Sequence, residues 1–169
     1  ASCGGDAVNT QQLHLLQARQ QRQVRRELEA CERAATAHPR CYYAWSYRDQ
    51  MVARLVTEAT DGVNADTRLH LSREEAADLV RLELSASTRW ASTHVSDYTA
   101  LHYRQKLIRF AATLDGGTQV QAMEEELEWV ATIIARFPGH ESLWAHRRWC
   151  TERALAALSS ALASAIGVT

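Results

Sequence analysis

The chain has 169 residues, of which 46% are hydrophobic and 23% are charged, so it is long enough to form one ordinary globular domain. Its 19 Lys and Arg residues against 20 Asp and Glu residues give a formal net charge of -1, which provides no long-range attraction toward nucleic acid or an anionic membrane. No apolar run reaches the roughly 18 to 20 residues that a membrane span needs. With only 2 Pro and 7 Gly, the composition predicts an all-α protein.

Four cysteines are spread along the chain without a close-spaced pair of the kind that binds zinc: Cys3, Cys31, Cys41 and Cys150. No secretory signal precedes them. We therefore expect free thiols in a reducing compartment, and hence a cytoplasmic protein. Because the chain starts without Met and stops shortly after an Ala-rich segment, we also expect it to be part of a longer polypeptide.

The first periodic segment follows a short irregular one. Residues 1–9 contain a Gly pair and no hydrophobic periodicity, which predicts a flexible lead ahead of a single helical-repeat domain over residues 10–169. From Gln11 to about Ala37, apolar residues recur with the spacing of one helix face. This pattern predicts a long amphipathic first helix.

A proline separates the first two helices. Because Pro39 pushes the residue before it out of the α region, His38 is predicted to end the first helix. The second helix is then expected to start near Cys41 and to run to a turn centred on residues 61–64, whose composition is typical of loops.

Capping and turn residues define the later helices. Ser72 and Glu75 have the spacing of a capping box, and Ser96 or Asp97 can cap the helix after the next turn. Pro138 begins a third turn. These signals predict helices over about 73–92, 98–112 and 120–136. The last helix is predicted to begin near His140 or Glu141 and to continue through Leu155, Leu158 and Leu162 unless the Ser159–Ser160 pair breaks it.

Three stretches of the chain align with one another without a gap. In each, a bulky apolar residue is followed three positions later by Arg, and a Leu lies 17 residues before the apolar residue. One hairpin cannot bury its apolar face alone, so the pattern predicts an α-solenoid of three stacked antiparallel helical hairpins, over about 11–57, 72–112 and 119–158. The repeated pairs are Trp45 with Arg48, Leu101 with Arg104, and Trp144 with Arg147, and the preceding residues are Leu28, Leu84 and Leu127.

The repeated apolar residue is predicted to anchor the packing of its hairpin, since large side chains at a fixed helical position usually belong to the core. The Arg three positions later shares that helix face and needs a partner if it is partly buried. A Glu precedes each Arg by 21 residues, which predicts an ion pair inside each hairpin. The predicted pairs are Glu27–Arg48, Glu83–Arg104 and Glu126–Arg147, with other acidic residues or backbone carbonyls as alternative partners.

The residues just after each turn are the candidates for binding. In a solenoid, the second helices of all hairpins begin along one edge and expose amide donors there. We expect this turn edge to be lined by Arg40, Tyr42 and Tyr43 in the first unit, by Asp97 and Tyr98 in the second, and by His140 in the third. The alternative is that these Tyr and His side chains cap or pack locally.

The chain shows no self-sufficient active site. His140 and His146 are six residues apart, a spacing that splays their side chains on a helix, so we predict no metal site. A Gly-rich phosphate loop and a Ser or Cys nucleophile motif are both missing from the sequence. No catalytic residue is therefore assigned.

The repeated unit resembles the repeat of protein prenyltransferase alpha subunits over about residues 20–150. The first unit reads Pro-x-x-Tyr-x-x-Trp-x-x-Arg from Pro39 to Arg48, and the third has the same Pro, Trp and Arg positions from Pro138 to Arg147. The middle unit, with Leu101 in place of Trp, is similar to that of the members of the family known as repeat-containing proteins.

The resemblance implies an alpha-type subunit that curls as a crescent around a catalytic beta subunit, as in a geranylgeranyltransferase of the third type. It places zinc and the isoprenoid pocket in the beta subunit, and no cofactor in this chain. The beta subunit would also bind most of the isoprenoid diphosphate, while the protein substrate would carry a C-terminal cysteine. In better-known alpha subunits a Lys helps to bind the diphosphate, and a Tyr and a His face the active site. The resemblance places Arg40, Tyr42 and Tyr43 at these positions.

A second hypothesis keeps the same fold and changes the function. A solenoid of helical hairpins can also be a non-catalytic scaffold that binds peptide or protein partners. Only the prenyltransferase hypothesis expects the turn edge around Arg40 to face a diphosphate held by a partner. The role of that edge therefore distinguishes the two hypotheses.

Overall fold

The computed structural model describes residues 5–38, 40–61, 71–115 and 119–167, with side chains described from residue 18 onward except at 115 and 119. In these ranges the chain forms six helices and no strand, which confirms the predicted all-α class. The helices are α1 Gly5–Ala37, α2 Tyr42–Asp61, α3 Arg73–Thr93, α4 Tyr98–Asp115, α5 Gln119–Arg136 and α6 Glu141–Ile166.

The helices form three hairpins, α1–α2, α3–α4 and α5–α6, which we call hairpins 1, 2 and 3. The hairpins stack mainly through their second helices, because α4 packs against α2 on one side and against α6 on the other. One apolar cluster joins hairpins 1 and 2, and two smaller clusters join hairpins 2 and 3. The predicted solenoid of three stacked hairpins is confirmed.

Two helices are longer than predicted. Helix α1 begins at Gly5, so most of the lead expected over residues 1–9 is helical, and residues 1–4 lie outside the described part of the chain. Helix α6 continues through Ser159 and Ser160 to Ile166. Single helix-unfavourable residues cost only tenths of a kcal/mol, and the surrounding Ala and Leu residues outweigh them.

The predicted caps are present in hairpin 2. The Ser72 hydroxyl accepts a hydrogen bond from the Glu75 backbone N–H, and the Glu75 carboxylate accepts one from the Ser72 backbone N–H, which completes the capping box. At the start of α4, the Asp97 carboxylate accepts from the Ala100 backbone N–H at 3.3 Å, so Asp97 rather than Ser96 is the cap.

The first turn contains a strained backbone position. Arg40 has a φ of 63°, in the left-handed region that non-glycine residues occupy at a cost of about 1–3 kcal/mol. Arg40 precedes α2 by two residues, so the strained turn determines where its side chain emerges at the end of the hairpin.

Candidate functional site

A buried arginine joins hairpins 1 and 2. Arg48, on α2, is 4% exposed and donates from Nε and from a terminal nitrogen to the two carboxylate oxygens of Glu83 on α3, at 2.6 and 2.8 Å. Its other terminal nitrogen donates to the Leu28 carbonyl on α1 at 3.0 Å. The guanidinium therefore contacts both helices that flank it and holds the two hairpins in register.

Arg104 makes the same arrangement between hairpins 2 and 3. It donates to both carboxylate oxygens of Glu126 on α5 at 2.6 Å, and to the Leu84 carbonyl on α3 at 2.9 Å. Ser87 and Thr88 accept two further hydrogen bonds from it. Since Arg104 and Glu126 are 6% and 4% exposed, this is a second buried ion pair with all of its polar atoms engaged.

The predicted ion pairs inside the hairpins are therefore wrong about the partner. Arg48 and Arg104 each reach forward to the Glu of the next hairpin, and among the described residues none of the predicted pairs Glu27–Arg48, Glu83–Arg104 and Glu126–Arg147 forms. Each of these two guanidinium groups lies between its own hairpin, where it binds a backbone carbonyl, and the next hairpin, where it binds the Glu carboxylate. Spacing inside the repeat alone could not show this, because Arg48 and Arg104 each have an equivalent Glu both in their own hairpin and in the next one.

Inside each hairpin, the Glu is bound instead by a side chain 20 residues later. Glu83 accepts from the Tyr103 hydroxyl at 2.6 Å. Glu27 and Glu126 have the equivalent partners Tyr47, at 3.3 Å, and His146, at 2.7 Å. This position, two residues after the repeated apolar residue, is not among the predicted site residues. The recurrence of ring-bearing Tyr, Tyr and His there is the signal in the sequence that points to it.

The third copy of the repeated pair is exposed. Trp45 and Leu101 are 5% and 3% exposed, as expected of packing anchors, whereas Trp144 is 46% exposed and its indole nitrogen donates to the Pro138 carbonyl. Arg147 is exposed too and lies 5.7 Å from the Trp144 ring. The expectation that Trp144 anchors packing as Trp45 does is thus wrong for the described residues, because no hairpin covers that face of α6 there.

Asp97 turns inward rather than toward the turn edge. Its carboxylate, 4% exposed, accepts hydrogen bonds at 3.1 Å from the indole nitrogens of both Trp45 and Trp90. The two rings pack edge-to-face with centroids 5.5 Å apart. One carboxylate therefore caps α4 and ties the anchor of hairpin 1 to hairpin 2, and the prediction that Asp97 lines the edge is wrong.

The other predicted edge residues lie at the turns, although they do not form one group. Tyr42, Tyr43 and Tyr98 are 57%, 82% and 65% exposed. Arg40 and Tyr98 line one surface cleft of about 510 Å³ together with His140, whereas Tyr42 and Tyr43 stack edge-to-face on each other, outside that cleft.

The floor of this cleft is held by contacts between hairpins 2 and 3. The Ser96 hydroxyl lies 2.8 Å from Nδ1 of His140, and the Ser142 hydroxyl donates to the Val95 carbonyl at 2.6 Å. The cleft thus presents the Arg40 guanidinium and the His140 imidazole, which are groups that bind phosphate or carboxylate, while the Ser96 and Ser142 hydroxyls are already engaged. Glu141 also lines the cleft and adds a negative charge to it.

A second polar cluster is fully buried and contains Glu126, His146 and Cys150. Its potential ligand atoms lie within 4.8 Å of one another, but the Glu126 carboxylate already binds Arg104 through both oxygens. Burial and the nearby Glu126 charge together raise the pKa of the Cys150 thiol to about 12, so the thiol is protonated at neutral pH in this network. The donor set does not fit a zinc ion.

Glu126 remains ionised in this environment. Burial raises the pKa of its carboxyl, but the hydrogen bonds from His146 and Arg104 and the Arg104 charge outweigh it, so the pKa lies below the ordinary 4.5. Because a carboxylate can only accept, Nε2 of His146 carries the hydrogen, and Nδ1 accepts from the Gln105 amide at 3.3 Å. The cluster is therefore a structural hydrogen-bond network.

We expect the Glu126 network to make stability fall in acid. A group whose pKa is lowered by folding stabilises the protein above its unfolded value, here 4.5, and that contribution is lost as the pH falls through the folded value. Urea unfolding measured from pH 6 to pH 3 should therefore show a smaller loss of unfolding free energy in Glu126→Gln than in the parent chain. Glu125→Gln, at the exposed neighbouring position, is the control and should keep the parent slope. Equal slopes for Glu126→Gln and the parent would contradict the assignment.

These observations define a class: a helical-hairpin repeat protein whose repeats are joined by buried Arg–Glu pairs. The family model described as "Protein prenyltransferase alpha subunit repeat" matches residues 24–55, 80–111 and 123–154, one segment in each hairpin and together more than half of the chain. The chain belongs to the protein prenyltransferase alpha subunit repeat family.

Curated relatives agree with the family. The chain is 29% identical over 163 residues to the human protein named "Protein prenyltransferase alpha subunit repeat-containing protein 1", covering 77% of this chain and 36% of that protein. The zebrafish protein of the same name is 29% identical over 158 residues. The "Geranylgeranyl transferase type-2 subunit alpha" of Schizosaccharomyces pombe is 24% identical over 129 residues, covering 73% of this chain and 33% of that protein. The chain thus spans about a third of the length of the curated relatives it matches.

Within the described ranges, none of the helices combines the length and hydropathy that crossing a membrane requires. Cys31, Cys41 and Cys150 are free thiols, and Cys31 and Cys150 are buried.

Proposed function

We propose that this chain is part of an alpha-type subunit of a protein prenyltransferase, acting with a catalytic beta subunit in the transfer of a geranylgeranyl group from its diphosphate to a C-terminal cysteine of a target protein. The family match supports an alpha-type role, and the similarity to a type-2 geranylgeranyl transferase alpha subunit supports the transferase class. Zinc and the isoprenoid pocket belong to the beta subunit in this proposal, and the free thiols are compatible with action in the cytoplasm.

The single observation that carries the proposal is the cleft at the turn edge. Arg40, Tyr98 and His140 come from three different hairpins, and the turns of hairpins 2 and 3 are fixed to each other by the Ser96–His140 contact. An edge that presents fixed donors from successive repeats can contact an anionic group held by a partner without rearranging. In the proposed heterodimer, Arg40 would bind the isoprenoid diphosphate or a carboxylate of the substrate peptide beside it.

The experiment is coexpression of the full-length gene product with candidate beta subunits, followed by copurification and a prenyl-transfer assay. Arg40→Gly removes the guanidinium and also relieves the left-handed backbone, so loss of activity could not be attributed to a destabilised turn. We expect the variant to copurify normally and to transfer the prenyl group about tenfold more slowly, the effect of one charge-assisted hydrogen bond. Arg109→Ala, exposed on α4 three turns from the edge, should transfer at the parent rate.

Two outcomes would overturn the proposal. If no beta subunit copurifies, the helical-repeat scaffold takes its place, since that function needs only the stacked hairpins. If Arg40→Gly and Arg109→Ala transfer equally well in an active complex, the turn edge does not contribute to the reaction.

A further inference from the structure

The two junctions between hairpins differ at one position. In the second junction, Trp129 lies three residues after Glu126, on the same face of α5, and its ring is centred 4.4 Å from the Arg104 guanidinium. The equivalent residue of the first junction, three after Glu83, is Ala86. A large ring therefore covers one Arg–Glu pair, and a methyl group stands in its place at the other.

The space left by Ala86 is open in the structure. A groove of about 480 Å³ runs between α1 and α3, with Arg48, Glu83 and Ala86 among its lining residues. Val24 and Leu28 on α1 contribute apolar side chains to it. The groove thus overlies the buried ion pair of the first junction, where the second junction has its tryptophan.

The residue just before the Glu also differs between the two junctions, and it is apolar beside the groove. Leu82, one residue before Glu83, is 64% exposed and lines the groove, whereas the equivalent residue of the second junction is Glu125. An exposed leucine beside an open apolar groove provides the contact area that a hydrophobic anchor of a partner needs. The charged groups around the rim are mostly acidic: Glu29, Glu32, Glu75 and Asp78 against Arg25 and Arg89.

We propose that the α1–α3 groove is a docking site for a basic segment of a partner protein that inserts a tryptophan at the position Trp129 occupies in the second junction. The chain itself shows that a tryptophan is accommodated beside an Arg–Glu pair of this geometry. Tryptophan is also the side chain most enriched among anchors of protein interfaces. The acidic rim favours Lys or Arg residues on either side of the anchor. This site lies between the first helices of hairpins 1 and 2, and it is separate from the turn-edge cleft, with which it shares no lining residue.

The probe is a fluorescently labelled 15-residue helical peptide of Ala and Lys with one central Trp, titrated with the chain in a fluorescence-anisotropy assay. Two matched peptides replace the Trp with Ala, or every Lys with Glu. We expect the Trp–Lys peptide to bind at least tenfold more tightly than either matched peptide. Equal binding of the Trp and Ala peptides would overturn the proposal, and so would the absence of binding by the Trp–Lys peptide.

Variants of the groove complete the test. Ala86→Trp should fill the groove from within and weaken binding of the Trp–Lys peptide at least tenfold, while Ala135→Trp, which adds the same ring at an exposed site on α5, should leave it unchanged. Leu82→Ala changes only an exposed side chain and should weaken binding about threefold, so the proposal stays testable if Ala86→Trp fails to fold. Unchanged binding in Ala86→Trp or Leu82→Ala would overturn the site. If indole alone competes fully and the Lys residues add nothing, the groove is a small-molecule pocket and the peptide proposal is wrong.

Discussion

Replacing Glu83 with alanine is expected to lower the free energy of unfolding by about 3–5 kcal/mol, because the change leaves the Arg48 guanidinium buried without its carboxylate. Arg48 donates two hydrogen bonds to Glu83, and the buried Tyr103 hydroxyl loses its acceptor as well. The loss is measured by urea unfolding followed by circular dichroism. Unfolding should also become less cooperative, because hairpins 1 and 2 lose the ion pair that joins them.

The matched control is Glu27→Ala, at the equivalent position of hairpin 1. Glu27 accepts from Tyr47 and Gln23 at exposed positions, so its loss should cost less than about 1 kcal/mol. Double-mutant cycles then identify the partner of Arg48: the coupling of Arg48 with Glu83 should exceed its coupling with Glu27 by more than about 1 kcal/mol. A larger coupling of Arg48 with Glu27 would show that the ion pair forms inside hairpin 1, and it would contradict the Arg48–Glu83 pair between hairpins.

The fold was predictable because most of the helix starts have a local cause in the sequence. Ser72 and Glu75 form the capping box of α3, and Pro39 and Pro138 fall in the sequence between helices. Five of the six helices begin within a residue or so of the predicted position. The exception is α1, whose start at Gly5 has no strong cap or breaker in the sequence. Local chemistry determines where helices begin and end, and the repeat in the sequence determines that they stack.

The partners of charged side chains were less predictable for a physical reason. In a repeat array, Arg48 has a Glu in its own hairpin and an equivalent Glu in the next, at sequence separations of 21 and 35 residues. Only the direction in which the side chain leaves α2 decides between them, and that direction depends on how the hairpins are rotated against each other. Asp97 shows the same limit: its position at a helix start was evident, whereas its orientation toward Trp45 and Trp90 depends on packing between hairpins.

The junctions also explain why equivalent residues differ in burial. A complete junction needs an Arg and an apolar anchor from one hairpin and a Glu from the next. Glu27 at one side of the array and Arg147 with Trp144 at the other are halves of such junctions, and they are more exposed than their counterparts inside it. The role of a repeat residue therefore follows from its neighbours in the stack, even where its own sequence pattern is unchanged.

The comparison of Trp45 with Trp144 tests this dependence directly. Trp45→Ala is expected to cost about 3–5 kcal/mol, because it removes a ring that is 5% exposed and packed against Trp90 and Tyr103. It also removes one of the two indole donors to the buried Asp97 carboxylate. Trp144→Ala removes the same side chain from the same repeat position, but the ring is 46% exposed, so the cost should stay below about 1.5 kcal/mol.

Trp45→Phe separates the two contributions at the first site. Phenylalanine keeps an aromatic ring in the core but has no N–H to donate. Asp97 would then accept from the Trp90 indole and no longer from residue 45, so the free energy of unfolding should fall by about 1–3 kcal/mol. Trp144→Phe loses a hydrogen bond to an exposed carbonyl and should be nearly neutral. Thermal and urea unfolding of the four variants give the comparison. The two tryptophans share the side chain and the repeat position, and they differ chiefly in whether a following hairpin covers them. Equal costs for Trp45→Ala and Trp144→Ala would therefore mean that burial in the stack does not determine what a repeated tryptophan contributes to stability.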